Sequence, residues 1–296
     1  MARDLLKPLA FALLCAIWGS TWLVIKVGYG GLGAFNVASL RFFLAGGLLL
    51  LMLPLLRQRL PRGREEWLLT LWVGTALFAA NYGLVYWGEQ WLDSGLTSIL
   101  FAVLPIGTAF LAHAYLPEDR ITPRKLGGAF LALLGVGALF ADSIDLGQAR
   151  VVPMIAIVAG TLCAGAASVA TKRHGATMRP ATLNAPAMLV GAVLLALASL
   201  VAGDGYHLPT DGVTWGAIAY LAIAGSIVTF LIFFWLLKAW PATTMSYISV
   251  FTPVLALVLG FMVLHERPTW WTALGGVLIL CGVTLALTKP RTGEKT

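Results

Sequence analysis

Apolar stretches alternate with short charged or Gly/Pro-rich stretches along all 296 residues. Most apolar stretches hold about 20 residues, enough for a helix to cross a hydrocarbon layer of ~30 Å. The pattern predicts ten spans, over residues 5–27, 34–56, 67–87, 94–116, 122–140, 151–171, 181–202, 213–237, 242–264 and 269–287. Between them lie short turns such as 28–33, 60–63, 142–147 and 203–212, too small to house a catalytic domain.

The same pattern occurs twice. Trp87, Ser98, Pro105, Leu111, Leu116, Glu118 and Leu126-Gly127-Gly128 recur 148 residues later as Trp235, Ser246, Pro253, Leu259, Leu264, Glu266 and Leu274-Gly275-Gly276, without a gap. The offset is half the chain, so two units are expected, 1–148 and 149–296. Five spans per unit is an odd number, which forces the second unit to cross the membrane in the opposite sense. The expected fold class is an all-α polytopic membrane protein: ten transmembrane helices as two inverted five-helix repeats (5+5) around a central cavity. Secondary transporters use this design and place substrate near the midplane between the repeats.

Composition agrees. Hydrophobic residues make up 59% and charged residues 11%, less than half the ~25% charged content of a soluble domain. The net charge of +7 is a matter of topology. With the N-terminus in the cytoplasm, the cytoplasmic segments hold 16 of the 20 basic residues, leaving Lys26, Arg41, Arg150 and Arg267 elsewhere. That bias predicts both termini in the cytoplasm, with the lipid bilayer and a small-molecule substrate as partners and no nucleic acid. Both monomer and homodimer remain open. Arg3 and Lys7 precede the first apolar run as in a signal peptide, but the run reaches Val27 and is read as a retained span. Cys15, Cys163 and Cys281 are far apart inside apolar runs and read as small apolar helix residues. No metal site or cofactor is expected.

Polar groups inside spans are costly and so are candidates for function. Trp18, Ser20 and Trp22 in the first span offer indoles and a hydroxyl to a substrate; the alternative is interfacial anchoring for the tryptophans and helix packing for Ser20. Arg41 has the planar fork that suits a carboxylate, against a structural or gating role. Asn81, Tyr82 and Tyr86 put an amide and two phenols on the third span, Tyr82 and Tyr86 on one face. Ser98 and Phe101 in the fourth span, Thr229, Phe230 and Phe233 in the eighth, and Tyr247 and Ser249 in the ninth complete the expected lining. Pro105 and Pro253 each free a backbone carbonyl one turn earlier and are read as hinges, against static kinks. Glu118 and Glu266 read as helix N-terminal caps. No Asp or Glu stands deep in a span, Glu89 being at the outer end of the third, so a midplane carboxylate for proton coupling is not expected.

Several of these residues also resemble a family. Ile17-Trp18-Gly19-Ser20-Thr21-Trp22, Leu40-Arg41-Phe42, the segments around Pro105 and Pro253, and Glu266-Arg267-Pro268 leading into Leu274-Gly275-Gly276 are similar to the EamA branch of the drug/metabolite transporter superfamily. The likeness runs from about residue 9 to 288. It implies ten helices in two inverted halves and export of small metabolites, amino acids or related compounds, across a bacterial inner membrane. A broad exporter of toxic or drug-like molecules is the alternative. An enzyme is not expected: His113, His174, His207 and His265 are scattered and unpaired with buried carboxylates. Trp18 and Trp22 align with Ala166 and Ala170, so the two halves contribute unlike walls to a cavity.

Overall fold

A computed structural model describes residues 2–116, 122–145, 150–245 and 248–287. Glu118, Ser246 and Tyr247 lie outside the described residues. The described chain is all helical. Its rods are α1 (Ala2–Gly28), α2 (Ala34–Met52), α3 (Gly63–Glu89), α4 (Ser94–Tyr115), α5 (Pro123–Asp145), α6 (Val151–His174), α7 (Pro180–Val201), α8 (Gly212–Ala239), α9 (Ile248–Leu264) and α10 (Trp270–Leu287). Seven of them, α1 to α4 and α6 to α8, are long and apolar enough to cross a membrane. Large apolar side chains such as Leu55, Phe130 and Trp270 cover the outside, where lipid replaces water as the solvent.

Two rods change their winding in mid-course. In α3 the stretch Gly74–Asn81 is π-helical, and in α8 so is Ile223–Val228. The first window displaced by the repeat offset contains the second. A π-turn widens the helix and frees carbonyls from the regular ladder. In α4 the helix breaks at Ala102–Val103, between Ser94–Phe101 and Leu104–Tyr115. Pro105 explains the break: it lacks the N–H that would bond Phe101. Pro253 instead stands inside the helical stretch Ile248–Leu264.

Small residues set the tightest contacts. The Gly46 Cα of α2 packs on Leu189 and the Ala185 carbonyl of α7, where a Cβ would stand 3.0 and 3.1 Å away. In α5 and α10 the approach is closer. A Cβ on Gly135 would lie 2.7 Å from the Gly275 carbonyl oxygen, and one on Gly275 2.8 Å from that of Gly135. Glycine permits this close packing where apolar burial alone gives no drive between helices in lipid. The α5–α10 pair builds its own apolar cluster with α4, through Ala132, Leu139, Ile279 and Ile99, separate from the larger cluster of α1, α2, α3, α7 and α8.

The turn after α1 needs glycine. Gly30 and Gly31 have φ of +48° and +83°, in the left-handed region, and a Cβ on Gly30 would collide with Thr214 at the start of α8. This turn is thereby pressed onto the neighbouring helix.

Candidate functional site

Between α1, α3, α4, α6, α8 and α9 lies a cavity of about 100 Å³. Its walls are aromatic: Trp18 and Trp22 of α1, Tyr82 of α3, Phe101 of α4, Phe230 and Phe233 of α8. Thr21, Asn81, Thr108, Ser168, Ser249 and Thr252 add polar groups, and no charged side chain is among the lining residues. Walls that are mostly apolar with a few placed polar groups are how small-molecule sites are built.

The aromatic walls hold one another in place. Trp18 meets Phe230 and Phe233 at centroid distances of 5.4 and 5.5 Å, and Trp22 meets Phe101 edge-on at 5.4 Å. Such pairs favour tilted and edge-to-face arrangements because of the ring quadrupoles. The Trp18 indole also donates to the Gly225 carbonyl at 3.3 Å, a carbonyl within the π-turn of α8. The Trp22 Nε1, Asn81 Oδ1 and Thr108 Oγ1 are buried and have no hydrogen-bond partner among the described residues. Donors and acceptors that line an apolar cavity in this condition are available to a bound molecule.

Beside the cavity, Arg41 is 1% exposed. Its Nε donates to Ser226 Oγ at 2.8 Å, Nη1 to the Tyr86 hydroxyl at 2.9 Å and Nη2 to the Gly225 carbonyl at 2.7 Å. The guanidinium lies 4.8 Å from the Tyr82 ring centre and 5.1 Å from that of Phe42. All three acceptors are neutral, and two belong to the π-turn of α8. Arg41 thus joins α2, α3 and α8 at one point, behind the cavity wall.

Of the residues singled out from sequence, Trp18, Trp22, Asn81, Tyr82, Phe101, Phe230, Phe233 and Ser249 line the cavity. Arg41, Ser20, Tyr86, Ser98 and Thr229 stand outside its lining, and Tyr247 outside the described residues. Ser20 Oγ donates to the Ile17 carbonyl and pairs with the Tyr220 hydroxyl, both at 2.7 Å, on the side facing α8. Neighbouring Gly19 faces Leu255 of α9, where a Cβ would be 2.8 Å away. Tyr86 is fully buried under Arg41. Ser98 bonds within its own helix to the Gly95 carbonyl, and Thr229 is buried with its hydroxyl unpartnered among the described residues. Sequence reading missed Thr108, Ser168 and Thr252. Single hydroxyls in apolar runs resemble ordinary helix residues, and only the shared cavity distinguishes them.

Towards the end of the bundle holding Lys26 and Glu89, hydrogen bonds tie the helices together. The Tyr29 hydroxyl donates to the Tyr86 carbonyl at 2.7 Å. Glu266, from the turn before α10, accepts from Ser94 N at 2.9 Å, Ser94 Oγ at 2.8 Å and Gly95 N at 3.3 Å. It caps α4, not the helix it precedes in sequence, and so ties the second half to the first. The cavity lining extends the other way, to Ser168, Ala242 and Met245.

The chain is similar to known transporters over nearly its whole length. The pattern of the EamA-like transporter family matches residues 6–141 and again 152–288. The uncharacterized transporter YoaV of Bacillus subtilis is 30% identical, over 90% of this chain and 91% of that protein. The uncharacterized inner membrane transporter YedA of Escherichia coli is 31% identical, over 96% and 92%. A probable terminal-alkyne amino-acid exporter of Streptantibioticus cattleyicolor is 26% identical, over 93% and 91%. In fold, a solved crystal structure superposes with a TM-score of 0.70, covering 95% of this chain and 96% of that one at 20% identity. Two matches of one family pattern, one on each copy of the internal repeat, place this multi-span membrane protein in the EamA-like transporter family.

Proposed function

We propose that the chain is a secondary transporter of ten spans, with two inverted five-helix halves, 1–148 and 149–296. It exports small neutral or zwitterionic metabolites across a bacterial inner membrane by alternating access, with both termini in the cytoplasm. Amino acids with aromatic or hydrophobic side chains, or related compounds, are the substrate class. The observation that carries this is the cavity itself: both halves line it, aromatic rings form its walls, and its polar groups are uncharged. Rings stack on flat apolar groups, while Trp22 Nε1 and Asn81 Oδ1 offer one donor and one acceptor to a polar head. Arg41 acts as a structural strut between the halves, because each of its three nitrogens already donates a hydrogen bond. Pro105 and Pro253 serve as hinges; the break before Pro105 supports this for α4. The exporter name of the Streptantibioticus relative agrees with the substrate class.

The test is uptake of radiolabelled amino acids into proteoliposomes, comparing the native protein with Tyr82→Ala. Uptake of aromatic or hydrophobic amino acids that falls in the variant supports both carrier and site. With folded protein, no uptake of any amino acid removes that class and leaves the second reading, a broad exporter of drug-like solutes, which the largely apolar walls favour.

A further inference from the structure

Glu89 closes α3, and its carboxyl lies outside the cavity lining. Its side chain is 0% exposed, and neither carboxyl oxygen has a hydrogen-bond partner among the described residues. A carboxylate left charged in such surroundings is strongly disfavoured, since nothing replaces the water it has lost. A carboxyl that keeps its proton carries no such penalty.

Most of the groups around it hydrogen-bond elsewhere. Arg41 of α2 gives its donors to Ser226, Tyr86 and Gly225. Tyr86, on the same helix as Glu89, accepts from Arg41, and Tyr29 donates to the Tyr86 carbonyl. Glu266 is engaged at the start of α4 and brings a second negative charge to this region. Lys26, in the last turn of α1, and Arg41 act on Glu89 through space and oppose the effect of burial, without hydrogen-bonding to it. From α6, the Ile157 side chain and the Pro153 carbonyl oxygen pack on Gly88.

Position supplies the other half of the inference. Asn81, Val85 and Glu89 are spaced by four and share one face of α3. Asn81 and Val85 line the cavity, so Glu89 continues that wall one turn further, towards the hydrogen bonds made by Tyr29, Tyr86 and Glu266. When the bundle opens at this end, the cavity lengthens along this face and Glu89 meets water.

We propose that Glu89 is a proton-binding site which must be filled before the outer side of the protein can close. In the closed arrangement the carboxyl keeps its proton; in the open one it is hydrated and releases it to the external solution. External acid therefore favours the closed outer side, and external base favours the open one. The inference rests on the alternating-access reading above, and its test uses no transported molecule, so either can fail without the other.

The experiment is infrared and hydrogen-exchange spectroscopy on the full-length protein, native, Glu89→Gln and Glu89→Asp, at about pH 5 and about pH 8. The native protein is expected to show the carbonyl stretch of a protonated buried carboxyl, absent in Glu89→Gln. Corrected for intrinsic rates, exchange over residues 22–33 and 82–95 is expected to rise with pH, up to about tenfold per unit for one linked proton. Glu89→Asp keeps that dependence, and Glu89→Gln stays protected at both values. An unchanged pH dependence in Glu89→Gln overturns the proposal. So does a native protein whose outer segments exchange alike at both pH values, a result that holds even if the variants do not fold.

Discussion

Helices α3 and α8 are copies of each other at the level of the backbone and opposites in chemistry. Both carry a π-turn at the same place in the repeat, and both face the cavity. Where α3 has Asn81, Tyr82 and Tyr86, α8 has Thr229, Phe230 and Phe234. Arg41, which binds Tyr86, matches Leu189. The start of α8 is capped, with Asp211 accepting from Thr214 N at 2.8 Å, whereas Arg62 at the equivalent start of α3 makes no side-chain cap. Duplication has preserved the irregular backbone while the side chains diverged. One half supplies ring faces; the other supplies rings with polar handles.

Making the halves alike should show what each difference contributes. Arg41→Leu imposes on α2 the residue of α7 and removes three charge-assisted hydrogen bonds. With contributions of about 1.5–3 kcal/mol each, unfolding in detergent should move by several kcal/mol, the largest effect of the set. Retention of native stability would mean that Arg41 is no strut. Tyr86→Phe copies Phe234, deletes one acceptor of that guanidinium and should cost about 1–3 kcal/mol, read by the same melting curve.

Tyr82→Ala and Phe230→Ala remove repeat-equivalent rings that meet at a centroid distance of 6.2 Å on the cavity wall. A lost ring contact of about 1–1.5 kcal/mol predicts a roughly tenfold weaker apparent affinity in each. Transport kinetics in proteoliposomes checks this, and unequal losses would reveal which of the two rings the substrate prefers. The smallest effect is at the caps. Thr214 holds the Asp211 carboxylate below the usual aspartate range by hydrogen bonding from its backbone N–H and hydroxyl. A carboxyl depressed in the folded state stabilises above its unfolded value and loses that contribution as pH falls. Asp211→Asn should therefore flatten a slight loss of stability below about pH 4, the ordinary aspartate value. A melting temperature with unchanged acid dependence would assign the cap no role.

The long spans and the repeat were legible because lipid leaves the backbone little choice. Apolar runs of sufficient length must be helical when no water can satisfy their peptide groups, so spans 94–116 and 213–237 coincide closely with α4 and α8. Aromatic residues deep in spans, Trp18, Tyr82 and Phe230 among them, also led to the cavity. The π-turns had no such signal. Gly74–Asn81 contains no proline, and its winding coincides with close packing of Gly74 on Val190 and the Ala187 carbonyl of α7. Arg41 illustrates the same limit. Its partners Gly225 and Ser226 lie on α8, far along the chain, and no local pattern announces them. For Glu89, sequence marked its place at the end of a span but not its burial, which depends on how α1 and α6 pack over it.

The glycine crossing of α5 and α10 joins the two copies of the repeat. Subtracting the repeat offset turns Gly275 into Gly127, and Gly282 into position 134. The contact of Gly135 with Gly275, and that of Gly128 with Gly282, then become one contact made twice: positions 127–128 of one copy against 134–135 of the other. Reciprocity of this kind is the mark of an isologous two-fold interface. The two copies of the repeat thus meet at α5 and α10 as the two subunits of a symmetric dimer meet, within one polypeptide.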